Sequence, residues 1–196
     1  MLKEEYNVKR SVAILMSVLM LVAVLTGCSK GATNVTSESQ TKSNTSSQTK
    51  NTPSGKLIEP FQLISKSEAE QLIGEPLQDP KNTETKVVGQ KISFYDAVKE
   101  DSNKFLQVTL QQEAFMPDNG QSPKSIYGTI KNAFPTNDKV DGVGDEAFIA
   151  PPGLHILKGS NYITIGVGNS NDPKNREILK AAGKKAVENL EKLTGK

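Results

Sequence analysis

The chain contains little of what many catalytic and binding sites are built from. Its 196 residues include no tryptophan, one cysteine, one histidine and only 5% aromatic residues. With a single cysteine, neither an internal disulfide framework nor a thiolate metal site can form within the chain. The absence of tryptophan, and the placement of most aromatic residues on faces predicted to be buried, disfavour a carbohydrate-binding surface.

An excess of charge of one sign is also absent. The formal net charge of the whole chain is +2. It falls to +1 without residues 1–27, which carry three basic and two acidic side chains. Proteins that bind nucleic acids present a basic face to the phosphates. We therefore predict no nucleic-acid partner.

Long apolar runs are missing except near the N-terminus. Residues 11–25 form a run of 15 uncharged residues that follows Lys3, Lys9 and Arg10. A transmembrane helix needs roughly 20 apolar residues, whereas a basic segment followed by a shorter apolar run is typical of a secretory signal peptide. The sequence therefore predicts a signal peptide over residues 1–27 and no transmembrane anchor.

The lone cysteine follows this run directly, in the sequence Leu25-Thr26-Gly27-Cys28. The small residues Thr26 and Gly27 give a peptidase access to the backbone, and Leu25 suits an apolar subsite. The four residues resemble the lipobox of bacterial lipoproteins, which implies cleavage after Gly27 and attachment of a diacylglyceryl group to Cys28. Two acyl chains suffice for stable anchoring. We therefore expect the membrane as a partner and a location on the extracytoplasmic face of the cell membrane.

A polar segment separates this cysteine from the first hydrophobic pattern. Residues 29–54 are almost wholly Ser, Thr, Asn, Gln and Lys, and only Ala32 and Val35 are apolar. Such a segment cannot bury enough surface to offset its ordering entropy. We interpret residues 28–56 as the lipidated cysteine with a disordered tether, and residues 57–196 as one folded domain.

Capping residues and apolar periodicity predict three helices in this domain. They lie at residues 65–74, 122–135 and 172–193. Ser65 and Glu68 have the spacing of a capping box. Gly183 falls in the middle of the third helix, where glycine costs roughly 1 kcal/mol relative to alanine. We expect a close approach of this helix to a sheet to explain that glycine.

Alternating polar and apolar residues predict five strands. Four lie near residues 87–95, 105–115, 154–158 and 162–167, and the fifth follows the segment 140–148. In the first strand Val88, Ile92 and Phe94 are in phase. In the second, leucines and a valine alternate with Gln and Thr, which predicts one buried face and one face in water.

The order of elements is helix, two strands, helix, three strands, helix. This order predicts an α+β domain, a two-layer arrangement with an antiparallel sheet and helices on one face. The two halves, each a helix followed by antiparallel strands, suggest an internal duplication.

Several segments together resemble lipoproteins of Gram-positive bacteria. These are SKSEAEQLIGEPL, VDGVGDEAFIAP, LHILKGSNYITIGVG and REILKAAGKKAVENL. The chain is similar over about residues 61–195 to uncharacterised actinobacterial lipoproteins and to the extracellular sensor domain of a mycobacterial serine/threonine kinase. The most specific parts are residues 142–147 and 158–159. The resemblance implies an extracytoplasmic α/β sandwich with a ligand-binding or interaction role and brings no catalytic residues.

The main cluster of candidate ligating residues is acidic. Asp138, Asp141, Asp145 and Glu146 offer oxygen ligands of the kind that calcium prefers. Their spacing does not fit an EF-hand loop, because Lys139 would occupy a ligand position. Adjacent strand residues point to opposite faces, so Asp145 and Glu146 cannot flank one glycosidic bond. We interpret the cluster as solvated turn carboxylates.

His155, the one histidine, lies in a predicted strand. A hydrolytic triad or a zinc site would have to be built around it, yet no HxxxH, HxxE or GxSxG pattern accompanies it. Gly142 and Gly144 lack the third glycine and the following helix of a phosphate-binding loop. We interpret His155 as a sheet residue and the two glycines as turn residues.

These observations favour a non-catalytic surface lipoprotein that binds a protein, a peptide or a small ligand at the cell envelope. We predict no cofactor, no metal ligand and no catalytic residue. The alternative is an envelope hydrolase that uses the segment from Asp138 to Glu146. A deep pocket with His155 and converging carboxylates would favour the hydrolase, and a flat or shallow sheet face would favour the binding protein.

Overall fold

The computed structural model describes residues 56–195. The predicted signal peptide, the motif Leu25 to Cys28 and the tether up to residue 55 lie outside these residues. The described part contains four helices: α1 (Pro60–Leu63), α2 (Lys66–Ile73), α3 (Pro123–Ala133) and α4 (Pro173–Thr194). None of these helices has both the length and the apolar character that crossing a bilayer requires.

Seven strands form one antiparallel sheet in the order β1-β2-β3-β7-β6-β5-β4. They are β1 (Lys81–Thr85), β2 (Gln90–Asp96), β3 (Phe105–Gln112), β4 (Asp138–Lys139), β5 (Glu146–Ala150), β6 (Gly153–Lys158) and β7 (Asn161–Gly166). Strands β1 to β3 and β4 to β7 each form a meander, and β3 pairs with β7 in the middle. The predicted α+β class, with helices packed on an antiparallel sheet, is confirmed.

Local capping explains where the longer helices begin. The Ser65 hydroxyl accepts a hydrogen bond from the Glu68 amide, and the Glu68 carboxylate accepts one from the Ser65 amide at 2.8 Å, so the predicted capping box is confirmed. At the starts of α3 and α4, the side chains of Ser122 and Asp172 accept hydrogen bonds from backbone amides of the first turn. Gly74 ends α2 with φ 79°, a conformation that glycine adopts without strain.

The main core lies between one face of the sheet and helices α1, α2 and α4. Its strand residues include the alternate apolar positions predicted for β3 and β7, and α4 contributes its apolar stripe. The fully buried examples are Leu106, Val108, Leu110, Ile163, Ile165, Leu179, Ala182 and Ala186. Three of the four helices therefore lie on one face, among them the predicted helices α2 and α4, whereas the predicted placement of every helix on that face does not hold for α3.

Helix α3 lies on the opposite face. Tyr127 packs there on Phe148 and Tyr162, with ring centroids 5.4 and 5.6 Å apart. Phe148 and Tyr162 alternate along β5 and β7 with main-core residues, so they point away from that core. Strands β5 to β7 carry apolar residues on both faces, and this second apolar surface recruits α3.

The position of α3 also bears on the suggested duplication. A two-fold rotation that exchanges β3 and β7 within one sheet keeps each face on its own side. The helices that precede the two meanders, α2 and α3, lie on opposite faces. The two helix-and-strand units are therefore not related by that rotation.

Strand β2 buries a different face from the one its apolar residues indicate. A short 3₁₀ turn occupies Lys86–Val88, and the strand begins after it. The buried positions are Lys91, Ser93 and Tyr95, whereas Ile92 is only partly buried. Lys91 Nζ lies 2.6 Å from a Glu59 carboxylate oxygen. Polar partners such as Glu59 thus allow polar residues to be buried on the face of β2 that the hydrophobic pattern assigned to water.

Ile58, which lies shortly before α1, is hydrogen-bonded to the end of the central strand β3. Gln112 accepts a hydrogen bond from the Ile58 amide at 2.9 Å and donates one to the Ile58 carbonyl at 2.6 Å. Both residues are buried. One side-chain amide therefore satisfies both backbone groups of Ile58, as an added strand would.

Candidate functional site

The sheet face that carries α3 is only partly covered, which leaves a cleft of about 860 Å³. Strands β2, β3, β6 and β7 form its floor. One wall is α3, and the other is the 3₁₀ turn Lys86–Val88 with Met116. The turn Pro151-Pro152 also lines it. A volume of this size lies within the range of roughly 300–1,000 Å³ that is common for small-molecule sites.

Cross-strand register builds the floor from rows of neighbouring side chains. In one row, Ile92 pairs with Thr109, Thr109 with Thr164, and Thr164 with His155. In the next row, Gln111 lies between Gln90 and Tyr162. Five of the seven residues in the two rows carry a hydroxyl or an amide, so the floor is polar but uncharged.

The polar face of β3 is less exposed than the sequence predicted. Thr109 and Gln111 each retain only 6% of their accessible surface. The prediction of a face in water is therefore wrong for the middle of β3. The cleft walls cover it, and the Gln111 side-chain amide donates a 2.7 Å hydrogen bond to the Val88 carbonyl. Gln111 thereby fixes the 3₁₀ turn at the edge of the cleft.

The walls of the cleft are mainly aliphatic. They include Val87, Val88, Met116, Ile126 and Ile130. Val87 retains 80% of its accessible surface and Val88 46%, which is unusual for valine in a folded domain. The cleft therefore places an apolar rim around a polar floor.

Charged side chains do not contribute to the cleft. None of its lining residues, all of which belong to residues 56–195, is Asp, Glu, Lys or Arg. A ligand charge enclosed there would lose hydration without gaining a counter-charge, which is costly. The cleft therefore favours an uncharged ligand.

His155 forms part of the floor and is only 2% exposed. Its Nε2 lies 3.2 Å from the Ala150 carbonyl oxygen, and its Nδ1 lies 2.7 Å from the Tyr162 hydroxyl. Because a carbonyl only accepts, Nε2 carries the proton, and Tyr162 donates to Nδ1. Burial lowers the pKa of His155, which favours the neutral ring. Its ring stacks on Phe148 with centroids 4.7 Å apart.

The four acidic residues singled out in the sequence do not converge. Each carboxylate has a different cationic partner: Asp138 with Arg176, Asp141 with Lys139, Asp145 with Lys158, and Glu146 with Lys131. Asp145 also accepts a 2.6 Å hydrogen bond from the Gly159 amide. Within residues 56–195, no group of three or more potential metal-ligating side chains comes together.

The cleft matches neither the deep pocket with converging carboxylates expected for a hydrolase nor the flat or shallow sheet face expected for a binding protein. The cleft contains His155, as the hydrolase hypothesis requires, but its lining has no carboxylate within the described range. It is also deeper than a flat sheet face. Lys158 joins Asp145 to Glu191 of α4, while Glu146 pairs with Lys131 of α3. The two carboxylates thus lie toward opposite sides of the sheet, as expected for adjacent strand residues.

Sequence reasoning identified no cleft residue as a binding residue. Two signals pointed toward the cleft: the Gln and Thr alternation of β3, and the apolar residues on both faces of β5 to β7. Comparisons of the chain with protein-family models, curated proteins and solved structures find no match. The geometry of the cleft and the N-terminal motif are therefore the basis for the functional inference.

Proposed function

We propose that the chain is a lipid-anchored extracytoplasmic protein whose α+β domain binds an uncharged ligand in the cleft without catalysing a reaction. The observation that carries the proposal is the cleft of about 860 Å³ with a polar floor, aliphatic walls and a lining that contains no charged residue of the described chain. The Leu25 to Cys28 motif supports the anchored location.

The composition of the cleft restricts the ligand further. The Gln107 side-chain amide donates one 3.2 Å hydrogen bond to the Thr109 hydroxyl. A pure hydrocarbon would cover the remaining donor and acceptor of that amide and leave them without water, at a cost of about 1–3 kcal/mol for each unsatisfied group. The aliphatic walls, in turn, gain about 25 cal/mol for each Å² of apolar surface they bury. The ligand therefore combines apolar surface with hydrogen-bonding groups.

Ligand-observed NMR with the full-length protein in lipid discs tests the proposal. The probes are a set of water-soluble fragments, half of them uncharged amides and alcohols and half charged at neutral pH. The Thr164→Trp variant fills the floor with an indole. Ala181→Trp is the matched control, because Ala181 is exposed on α4, across the sheet from the cleft.

We expect uncharged fragments to bind the wild type and Ala181→Trp and to lose binding to Thr164→Trp. Charged fragments should show little binding to any of the three proteins. Equal binding to wild type and Thr164→Trp, or a preference for charged fragments, would contradict the proposal.

A further inference from the structure

We infer that the cleft selects uncharged ligands that carry a hydrogen-bond donor, an N–H or O–H group, and that the Thr164 hydroxyl oxygen accepts this hydrogen bond. The inference rests on the proposed function, since it requires the cleft to be a ligand site. A chain of hydrogen bonds from a backbone carbonyl to Thr164 carries it, because the direction of each bond fixes the direction of the next.

The chain begins at the Ala150 carbonyl, which can only accept. Its oxygen lies 3.2 Å from Nε2 of His155, so Nε2 bears the proton of the neutral ring. Nδ1 is then an acceptor, and the Tyr162 hydroxyl donates to it at 2.7 Å. A tyrosine hydroxyl has a single proton. With that proton directed at His155, the Tyr162 oxygen can only accept from any further partner.

Thr164 is that further partner. It lies two residues from Tyr162 on β7, so both side chains are on the same face of the sheet. Its side chain hydrogen-bonds the Tyr162 hydroxyl, which partly offsets the rise in the pKa of Tyr162 that burial causes. Because the Tyr162 oxygen can only accept, Thr164 gives its single proton to this bond. The Thr164 oxygen then has lone pairs and no proton to donate, and it is an acceptor toward the cleft.

Thr164 is also the member of the chain that a ligand can reach. It lines the floor of the cleft and is partly exposed. The other three members, Ala150, His155 and Tyr162, are buried. A ligand that covers Thr164 without a donor would leave its oxygen without water and without a partner, which is costly.

Gln107, the other partly exposed side chain with a hydrogen-bonding group at the centre of the floor, does not discriminate in this way. One N–H of its amide donates to the Thr109 hydroxyl. Its second N–H and its carbonyl oxygen take no part in that bond, so Gln107 can pair with a donor or with an acceptor. The selection of a donor therefore falls to Thr164.

Pairs of ligands that differ in one donor test the inference by ligand-observed NMR with the full-length protein in lipid discs. Valerolactam has an N–H and N-methylvalerolactam has none, and cyclohexanol with cyclohexyl methyl ether forms a second pair. A ring-methylated valerolactam matches the N-methyl compound in size and keeps the N–H. We expect the wild type to bind each donor compound about tenfold more tightly than the partner without a donor. The ring-methylated compound should bind like valerolactam.

Two variants of Thr164 show whether its hydroxyl is responsible. Thr164→Val keeps the shape of the side chain and removes the acceptor, so the two members of each pair should bind with similar affinity. Thr164→Ser is the matched control, because it keeps the hydroxyl and should keep the preference. A preference retained in Thr164→Val would contradict the inference.

Tyr162→Phe tests the direction of the chain. It removes the acceptor of the Thr164 proton, so Thr164 becomes able to donate, and the compounds without a donor should gain affinity relative to their partners. A purely structural role of Tyr162 would weaken both members of a pair alike, which would refute the directed chain. Circular dichroism melting checks that the variant is folded.

The outcomes for the wild type separate this inference from the proposed function. If both members of each pair bind equally and Thr164→Trp abolishes the binding, the donor inference is wrong and the cleft remains a ligand site. If a compound without a donor binds more tightly than its partner, the donor inference is also wrong. If none of these compounds and none of the uncharged fragments binds, both proposals are overturned.

Discussion

The surroundings of His155 oppose protonation of its ring. Its two ring nitrogens bond the Ala150 carbonyl and the Tyr162 hydroxyl, and Phe148 covers its face. A protonated ring would have to donate from both nitrogens, so Tyr162 would have to turn its hydroxyl to accept. Burial, which lowers the pKa of His155, also opposes the charge.

The lowered pKa of His155 predicts a pH-dependent stability. In the unfolded chain a histidine titrates near pH 6.5. Between that pH and its lower folded pKa, the unfolded state binds more protons than the folded state. The contribution of neutral His155 is therefore complete above about pH 6.5 and is lost as pH falls through the folded pKa. Each unit of pKa difference corresponds to about 1.4 kcal/mol.

Urea unfolding at pH 7.5 and pH 5.0 measures this effect, with His155→Gln as the comparison. The wild type should lose more unfolding free energy between the two pH values than His155→Gln does, because carboxylates contribute to both proteins alike. An equal loss in the two proteins would mean that His155 does not titrate differently on folding.

At the scale of single elements, two helical glycines differ in their surroundings. A Cβ added to Gly183 of α4 would lie 2.5 Å from Leu154 Cδ2 and 3.2 Å from Ile156 Cδ1. The expected close approach of this helix to the sheet is thereby confirmed. A Cβ added to Gly128 of α3 would have no heavy atom within 4 Å.

This difference predicts opposite effects of one substitution. Gly128→Ala should raise the free energy of unfolding by up to about 1 kcal/mol, because alanine is the better helix former. Gly183→Ala should lower it by about 1–3 kcal/mol, because overpacking outweighs the same gain. Chemical denaturation of both variants beside the wild type checks the prediction. A stabilised Gly183→Ala would show that α4 shifts away from the sheet at little cost.

The elements also show which parts of the fold the sequence could specify. The capping box at Ser65 and the alternation from Leu106 to Leu110 are local signals, and they correctly identified the helix start and the buried face of β3, though not the covering of its other face. Strand β1 was missed because all five of its residues are exposed and carry no apolar pattern. The buried face of β2 was misassigned because Lys91 is neutralised by Glu59, a partner 32 residues away.

The cleft, like the buried face of β2, depends on contacts between residues that are far apart in the sequence. Its polar floor resembles a solvent-facing strand until α3 and the 3₁₀ turn are placed above it. The helix periodicity identified the apolar residues of α3 without indicating which face of the sheet they cover. Only the apolar residues on the second face of β5 and β7, such as Phe148 and Tyr162, indicate which face α3 covers.

At the scale of the whole molecule, the predicted lipid attachment at Cys28 would determine where binding takes place. Metabolic labelling with an alkyne analogue of palmitate should mark the wild type and not Cys28→Ala, because the thiol is the predicted site of lipid attachment. Ser29→Ala, which leaves the cysteine in place, is the matched control and should remain labelled. Label retained on Cys28→Ala would refute the anchor.

The attachment of Ile58 to Gln112 determines how the domain would respond to mechanical load. A pull applied from the N-terminal side reaches the described domain just before Ile58, which Gln112 binds at the end of β3. Strand β3 has neighbours on both sides, β2 and β7. Tension would therefore first load the two hydrogen bonds between Ile58 and Gln112, which join the entry of the chain to an interior strand of the sheet.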